Sequence, residues 1–176
     1  MKKLFEALAA LVFSFALIAC GNNGPTTVQS VGQITVDGAQ SRAQVIDAGH
    51  YNQVDVHIND TNFPAHVQGK HVKTMALIAF NRRISSEDAD ANIRVLGYHS
   101  ANLDECLAYG REIAKVRQKY NLAPPSNSVV CLGQSALVDG RREVPGLWRY
   151  GGNWKLDLNW WDGGWHSGWR FLAVRN

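Results

Sequence analysis

The sequence lacks a hydrophobic segment long enough to cross a lipid bilayer as a helix. Its longest apolar stretch, 7–19, consists of thirteen residues that are all apolar or small except Ser14. A membrane-spanning helix needs about 20 such residues. We therefore do not expect an uncleaved transmembrane anchor at this position.

The sequence also lacks a strong excess of one charge. It contains 18 Lys and Arg residues against 15 Asp and Glu residues, for a formal net charge of +3. Nucleic-acid-binding domains concentrate their basic residues in one stripe or on one face. Here Arg82-Arg83 and Arg141-Arg142 are isolated pairs, and the other charges alternate in sign. Nucleic acid is therefore not expected as a partner.

Recognisable metal-binding and serine hydrolase motifs are absent as well. The six His residues include two loose pairs, His50 with His57 and His66 with His71. Zinc ligands usually lie closer in sequence and are accompanied by Cys or further His on turns. The segment 133–137, Gly-Gln-Ser-Ala-Leu, lacks the second Gly of a nucleophile elbow. We expect no metal, no cofactor and no catalytic residue.

The first 21 residues have the layout of a secretory signal peptide. Lys2 and Lys3 form a short positive start, and the apolar stretch follows them. Its end, Leu17-Ile18-Ala19-Cys20, resembles the lipobox of bacterial lipoproteins. In that family the Cys thiol is acylated with a diacylglycerol, the chain is cut just before the Cys, and the new N-terminus is usually acylated too. The resemblance implies that residues 1–19 are a signal peptide, that Cys20 carries fatty acyl chains such as palmitate, and that membrane lipid is a partner.

The low cysteine count is consistent with this resemblance. Three Cys would leave one unpaired in an exported protein. If Cys20 is lipidated, Cys106 and Cys131 remain, and we expect them to form a disulfide in an oxidising compartment.

A catalytic thiolate at Cys106 is the alternative. This residue lies near the start of a predicted helix, which in outline resembles the nucleophile position of papain-like wall peptidases, and His166 would be its base. The neighbouring Asp104 and Glu105 disfavour a thiolate, and the Asp-Cys-Ser-Gly run of that family is absent. The disulfide is therefore the favoured prediction.

Composition predicts a tether, and periodicity predicts one domain after it. Residues 20–30 are small, polar and rich in turn formers, which is typical of a flexible tether after the lipidated Cys. In the α+β domain predicted over 31–140, the apolar run 75–80 indicates a central strand covered on both faces. Residues 43–46 and 93–98 are predicted as strands, and 85–92 as a solvated connection or a single helical turn.

Residues 103–120 are predicted to form the principal helix. Asn102 and Glu105 have the spacing of a capping box, and Pro124-Pro125 prevents the helix from continuing. A strand is predicted at 128–132, which would place Cys131 within reach of the inner face of the helix. The predicted fold class is therefore α+β, a mainly antiparallel sheet with one principal helix packed on a face.

All six Trp residues lie between Trp148 and Trp169. Residues 144–176 are predicted to form a Trp-rich β-meander of three strands joined by Gly turns near 151–152 and 162–164. The pattern of Trp, Gly and Pro resembles a short Trp-rich module that ends other uncharacterised bacterial proteins. The resemblance implies an autonomous structural unit and no particular chemistry.

Strand alternation divides these Trp residues between two faces. The group predicted to form the core is Trp154, Trp160 and Trp169. Trp161 and Trp165 fall on the other face or at the turn, so we expect them to be exposed and to be the candidate ligand-contacting aromatics. Arg170 and Asp157 would hydrogen-bond a ligand, although a solvated pair is the favoured prediction for them.

These observations predict a lipid-anchored protein of the bacterial cell envelope, of structural or binding type, without catalytic activity. The first alternative is a glycan- or peptidoglycan-binding lipoprotein that uses the Trp-rich meander. The second is a Cys-dependent cell-wall hydrolase. Cell-wall glycan or another envelope protein would be the partner beyond the membrane lipid. Gly21 after the lipidated Cys resembles outer-membrane sorting if the host is Gram-negative.

Overall fold

The computed structural model describes residues 15–18, 26–120, 128–150 and 153–176. The strands are β1 Phe15–Ile18, β2 Thr26–Asp37, β3 Gln53–Val54, β4 Lys70–Phe80, β5 Tyr98–Ser100, β6 Ser128–Val130, β7 Ala136–Val138, β8 Arg141–Tyr150, β9 Asn153–Trp160 and β10 Arg170–Arg175. The α-helices are α1 Arg42–Ala48, α2 Ser86–Val95 and α3 Leu103–Tyr120, and a 3-10 helix covers Trp161–Gly163. No helix in these ranges is long and apolar enough to cross a membrane.

All ten strands belong to one sheet. The strand order is β1-β2-β4-β10-β6-β8-β9-β3, with β5 beside β10 and β7 beside β8. Neighbouring strands are antiparallel except in the pairs β6–β10 and β3–β9, which are parallel. The predicted α+β class with a mainly antiparallel sheet is confirmed.

Both faces of the sheet are covered, and β4 lies near the centre. Its side chains alternate: Met75 and Leu77 belong to the first core cluster, which packs against α3, and Ile78 and Phe80 belong to the second, which packs against α2. Because successive strand residues point to opposite faces, an unbroken apolar run is what a strand with two covered faces requires.

The principal helix α3 begins with the predicted capping box. The Asn102 N–H donates to Glu105 Oε2 at 3.0 Å, and the Glu105 N–H donates to Asn102 Oδ1 at 3.0 Å. On the inner face of α3, Cys106 is joined to Cys131, with their Cα atoms 6.1 Å apart. The predicted pairing of these two cysteines is therefore present in the structure.

The C-terminal residues do not form an autonomous meander. Strands β8 and β9 make the predicted hairpin, with Leu147 opposite Leu156. The third strand, β10, does not pair with β9 and instead lies between β4 and β6, with Leu172 opposite Leu77. The apolar β10 is buried on both faces, which the centre of the sheet provides and the edge of a hairpin does not.

The predicted tether is shorter than residues 20–30. Residues 26–30 belong to β2 and pair with β4, with Thr26 opposite Phe80 and Ser30 opposite Ala76. Their backbone groups make the ladder, so polar side chains do not prevent the strand. Cys20 and the rest of 19–25 lie outside the described residues. In the predicted signal peptide, Phe15–Ile18 pairs with the start of β2.

One segment predicted as a strand is wholly helical, and another is helical over half of its length. Residues 43–46 belong to α1, which begins with a capping box between Ser41 and Gln44. Residues 86–95 form α2, which replaces the solvated connection and the first half, 93–95, of the strand predicted at 93–98. In each case the N-cap side chain satisfies a backbone N–H that would otherwise lack a partner, and this local signal outweighs the short apolar pattern.

Candidate functional site

The two Trp residues predicted to contact a ligand are buried against α2. Trp161 is 6% exposed and Trp165 is 3% exposed. The Trp161 indole N–H donates to the Glu87 carboxylate, and Trp165 Nε1 donates to Ser86 Oγ at 2.9 Å. Ser86 Oγ in turn donates to the Trp161 carbonyl at 2.7 Å. The prediction that Trp161 and Trp165 are exposed is therefore wrong, and both hold the start of α2.

Further contacts complete this structural arrangement. The Arg142 guanidinium lies 3.6 Å from the Trp161 ring centroid. The hydrogen bond from Trp161 is the largest cause of a lowered pKa at Glu87. Trp165 packs edge-to-face on Trp169, with the ring centroids 4.9 Å apart. The N–H groups of both indoles thus donate hydrogen bonds to other residues of the protein.

The chain path after β9 explains why strand alternation fails here. Strand β9 ends at Trp160, and the 3-10 helix starts at the next residue, so the side chains no longer alternate by 180°. Gly164, with φ of 66°, then redirects the backbone. Trp165 and Ile84 consequently exchange two backbone hydrogen bonds, of 2.9 and 2.8 Å. Trp161 and Trp165 are thereby turned into the second core cluster.

Of the three Trp residues predicted to form the core, Trp154 is fully buried and Trp169 is half-buried. Trp160 is 49% exposed, so the prediction that it belongs to the core is wrong. It shares a face with Trp154, but it lies at the far end of β9, where the core no longer covers the sheet. Trp160 is the large aromatic residue that the described part of the fold leaves most open to water.

Trp160 lies beside an open groove with a volume of about 410 Å³, although its own side chain is not part of the lining. Across the β8–β9 ladder it lies directly opposite Glu143, so both side chains point to the same face. The Arg141 guanidinium is 5.8 Å from the Trp160 ring centroid. The residues lining the groove are Asp55, His57, Val138, Asp139, Arg141, Glu143 and Leu158.

The groove combines carboxylates with hydrogen-bond donors. His57 Nδ1 lies 2.9 Å from Asp55 Oδ1, and the His57 backbone N–H donates to the same oxygen at 2.8 Å. Burial, together with the charges of Asp55 and Asp157, raises the pKa of Glu143, while Arg141 opposes this shift. The groove therefore presents both acceptors and donors of hydrogen bonds beside an exposed indole.

Asp157 and Arg170, predicted as a solvated pair, have separate partners. Asp157 Oδ2 accepts a hydrogen bond from Trp148 Nε1 at 3.2 Å. Arg170 Nη1 donates to the carbonyls of Ser167 at 3.1 Å and Trp169 at 3.0 Å. The prediction is wrong because β10, which carries Arg170, does not lie beside β9.

The geometry around Cys106 does not provide an exposed nucleophile. Cys106 and Cys131 are both completely buried and joined to each other. His166, the base in the hydrolase alternative, is exposed beside Trp169, with their ring centroids 6.2 Å apart. A thiolate at Cys106 would therefore require the disulfide to be reduced and the core to open.

Residues of the pair His66 and His71 make hydrogen bonds within the fold. His71 Nε2 lies 2.7 Å from the Gln68 carbonyl, and the His66 backbone N–H donates to Asp104 Oδ2 at 2.7 Å. Across the ranges that the structure describes, no group of three or more His, Cys, Asp or Glu side chains is placed to hold a metal ion.

A second cleft, of about 320 Å³, lies between α1 and α3 and was not anticipated from the sequence. Its floor holds Arg42, whose side chain is 7% exposed, beside Asp60 and Asp104. Arg42 Nη2 also donates to the Phe63 carbonyl at 2.7 Å. These bonds join α1 to the loop before β4 and to α3, so the arginine has a structural role. A sequence signal for α1 existed in the spacing of Ser41 and Gln44.

Comparison of the chain with known proteins finds no matching family model, no matching curated protein and no matching solved structure. The features that bear on function are therefore the groove beside Trp160 and the lipobox resemblance.

Proposed function

We propose that this protein is a lipid-anchored, non-catalytic component of the bacterial cell envelope that binds glycan in the groove beside Trp160. Two independent features support the proposal. The sequence Leu17-Ile18-Ala19-Cys20 resembles a lipobox, and envelope lipoproteins meet glycans of the cell wall or of the outer surface. The exposed indole of Trp160 lies next to the polar side chains that line the groove.

The exposure of Trp160 is the observation that carries the glycan proposal. A pyranose ring presents apolar C–H faces that stack on an indole, and its hydroxyls both donate and accept hydrogen bonds. Beside Trp160, Arg141 and His57 would serve as donors, while Asp55 and Glu143 would serve as acceptors. A few polar groups around an apolar contact are typical of a small-ligand site. The proposal thus keeps the glycan class expected from the sequence and moves the contact from Trp161 and Trp165 to Trp160.

Replacing Cys20 with serine is expected to leave an unprocessed precursor that carries no acyl mass. The reason is that the thiol is the acyl acceptor in the family whose lipobox this segment resembles, and cleavage follows acylation. Intact-mass analysis of the wild type and of the Cys20→Ser variant measures both effects. Wild-type protein that retains residues 1–19, or that has a free Cys20 thiol, would contradict the anchoring proposal.

Replacing Trp160 with alanine is expected to weaken binding to purified peptidoglycan by about tenfold, because the stacking contact is lost. Leu137→Ala provides a control, since Leu137 is 74% exposed and lies opposite Arg142, on the other face of the sheet from Glu143 and Trp160. Binding is measured by co-sedimentation of the mature, detergent-solubilised protein over a concentration series. Unfolding curves of both variants verify that neither has lost its fold.

Two results would count against the glycan proposal. One is an absence of wild-type binding to peptidoglycan and to soluble cell-wall oligosaccharides. The other is an equal affinity of the wild type and the Trp160→Ala variant, since this would place any binding outside the groove.

A further inference from the structure

The groove beside Trp160 is negatively charged, although the whole chain has a formal net charge of +3. The charged residues of its lining are three carboxylates and one guanidinium, those of Asp55, Asp139, Glu143 and Arg141. The formal charge of the lining is therefore −2 with His57 neutral and −1 with His57 protonated. A cleft lined by an excess of one charge attracts ligands of the opposite charge. The groove thus favours a cationic ligand over a neutral or anionic one.

The charged residues around the groove leave this excess in place. In the β8–β9 ladder, Arg142 and Lys155 point to the other face of the sheet, because they alternate with Glu143 and Leu156. Each of these two cations lies near an indole on that face, at 3.6 Å from the ring centroid of Trp161 and at 5.3 Å from that of Trp148.

The turn after Trp160 contains charges of both signs. Asp162 is exposed there, and Arg83 Nη2 donates to the Gly163 carbonyl at 2.7 Å. These two charges offset each other in number. The negative charge of the groove therefore comes from its own lining.

Glu143 lies among carboxylates that repel its charge. Burial is the largest cause of its raised pKa, and the charges of Asp55 and Asp157 raise it further, whereas Arg141 lowers it. Hydrogen bonding is not among the causes of this shift, which means that no described side chain or backbone N–H holds the Glu143 carboxylate in its ionised form. A cation beside Glu143 would supply a partner and would offset the repulsion between the carboxylates.

The position of Trp160 restricts the kind of cation that would fit. Trp160 is 49% exposed and lies directly opposite Glu143. The Cβ atoms of such cross-strand neighbours are about 4.5–5.5 Å apart. A ligand that contacts both side chains must therefore combine an apolar face with a positive charge in one small unit. A 2-amino sugar does so, because its pyranose ring presents C–H faces and its ammonium group is bonded to a ring carbon.

We propose that the groove selects glycans whose amino sugars carry free amines over glycans whose amines are acetylated, an inference that rests on the proposed glycan-binding function. The Trp160 indole stacks on the sugar ring, and the Glu143 carboxylate accepts a charge-assisted hydrogen bond from the ammonium group. The indole face attracts the same cation, as it does the Arg141 guanidinium at 5.8 Å. Acetylation of the amine removes its charge, so an acetylated glycan keeps the stacking contact and loses the contact with Glu143.

The test compares two hexasaccharides that differ only in acetylation, β-1,4-linked glucosamine and β-1,4-linked N-acetylglucosamine. Each is titrated calorimetrically into the mature protein in non-ionic detergent, at low salt and at a pH at which the sugar amines are protonated. The glucosamine hexamer is expected to bind about tenfold more tightly. This preference should decrease at high salt, because salt screens the charges in an open groove.

The wild-type titrations separate failure of this inference from failure of the proposed function. Equal affinities for the two hexamers would overturn the selection of free amines and leave the glycan groove intact. Binding of neither hexamer would overturn the glycan groove as well. Acetyl-lysine amide, in which only the side-chain amine is free, provides an ammonium group without a sugar. If it binds as tightly as the glucosamine hexamer, the assignment to an amino sugar is wrong.

Two variants are expected to change the ratio of the two affinities in opposite directions. Glu143→Gln removes a carboxylate with little change in shape and should reduce the preference to about twofold. Arg141→Gln removes the opposing guanidinium and should increase the preference about threefold. The matched control is Asp88→Asn, which removes an exposed carboxylate from α2, on the other face of the sheet. It should leave the ratio unchanged.

The ratio also distinguishes recognition of the ammonium group from a merely structural role of Glu143. A structural defect in Glu143→Gln would weaken binding of both hexamers equally and would leave their ratio as in the wild type. That result would overturn the inference, because Glu143 would then not contact the amine.

Discussion

Replacing Trp161 with alanine is expected to lower the free energy of unfolding by about 3–5 kcal/mol, the range for truncating a large buried aromatic. The indole is almost fully buried, and its N–H is a partner of Glu87. The Arg142 guanidinium also stacks on the indole, 3.6 Å from the ring centroid. The variant would therefore lose packing in the second core cluster and leave a carboxylate and a guanidinium without their common partner. Urea unfolding followed by circular dichroism measures the change.

Trp160→Ala is the matched control, because it removes the same side chain at the adjacent position. Trp160 is 49% exposed and ends β9, so we expect its loss to change stability by less than about 1 kcal/mol. Strand alternation alone predicts the opposite order, with Trp160 as the costly position. Equal losses in the two variants, or a larger loss for Trp160→Ala, would contradict the arrangement in which Trp161 holds α2.

Replacing both Cys106 and Cys131 with alanine is expected to destabilise the fold by about 3.5 kcal/mol in the chain-entropy account, given that the bridge closes a loop between residues 25 positions apart. The bridge joins the buried face of α3 to the segment after β6, so it restricts the unfolded chain across the centre of the domain. The denaturant midpoint of the double variant, compared with that of oxidised wild type, measures the effect.

Two further measurements make this prediction specific. Non-reducing peptide mapping of the exported protein should recover Cys106 and Cys131 in one cross-linked fragment. Reduced wild type should unfold at a midpoint close to that of the double alanine variant. If both cysteines of natively exported protein are freely alkylated, the disulfide prediction is wrong. Cys106 would then have the free thiol that the hydrolase alternative requires.

Much of the fold was predictable where local chemistry and tertiary packing agree. The capping box at Asn102 and Glu105 predicted the start of α3, and the unbroken apolar run of β4 predicted a strand with two covered faces. The helix position in turn predicted that Cys106 and Cys131 could meet. These features depend on residues a few positions apart, whose periodicity or hydrogen bonding directly selects the backbone conformation.

The candidate site was less predictable, because burial in the Trp-rich segment depends on distant partners. Trp160 and Trp161 are adjacent and chemically identical, but the 3-10 helix that begins at Trp161 turns its side chain toward α2, and Trp160 remains exposed. Most of that helix was predicted as a solvated connection or a single helical turn. The sequence therefore did not indicate which element would bury Trp161. The groove likewise combines 55–57 with 138–143 and 158, three segments that are far apart in the chain.

The sequence by itself determined the α+β class, the principal helix and its cap, the pairing of Cys106 with Cys131 and the prediction of a lipid anchor. Only the tertiary structure decided that β10 lies between β4 and β6, that Trp161 and Trp165 are internal, and that Trp160 is exposed beside a groove. The physical reason is that periodicity defines which side chains share a face of one element. The partner that covers that face is selected by packing and backbone pairing across the whole sheet, which no local pattern encodes.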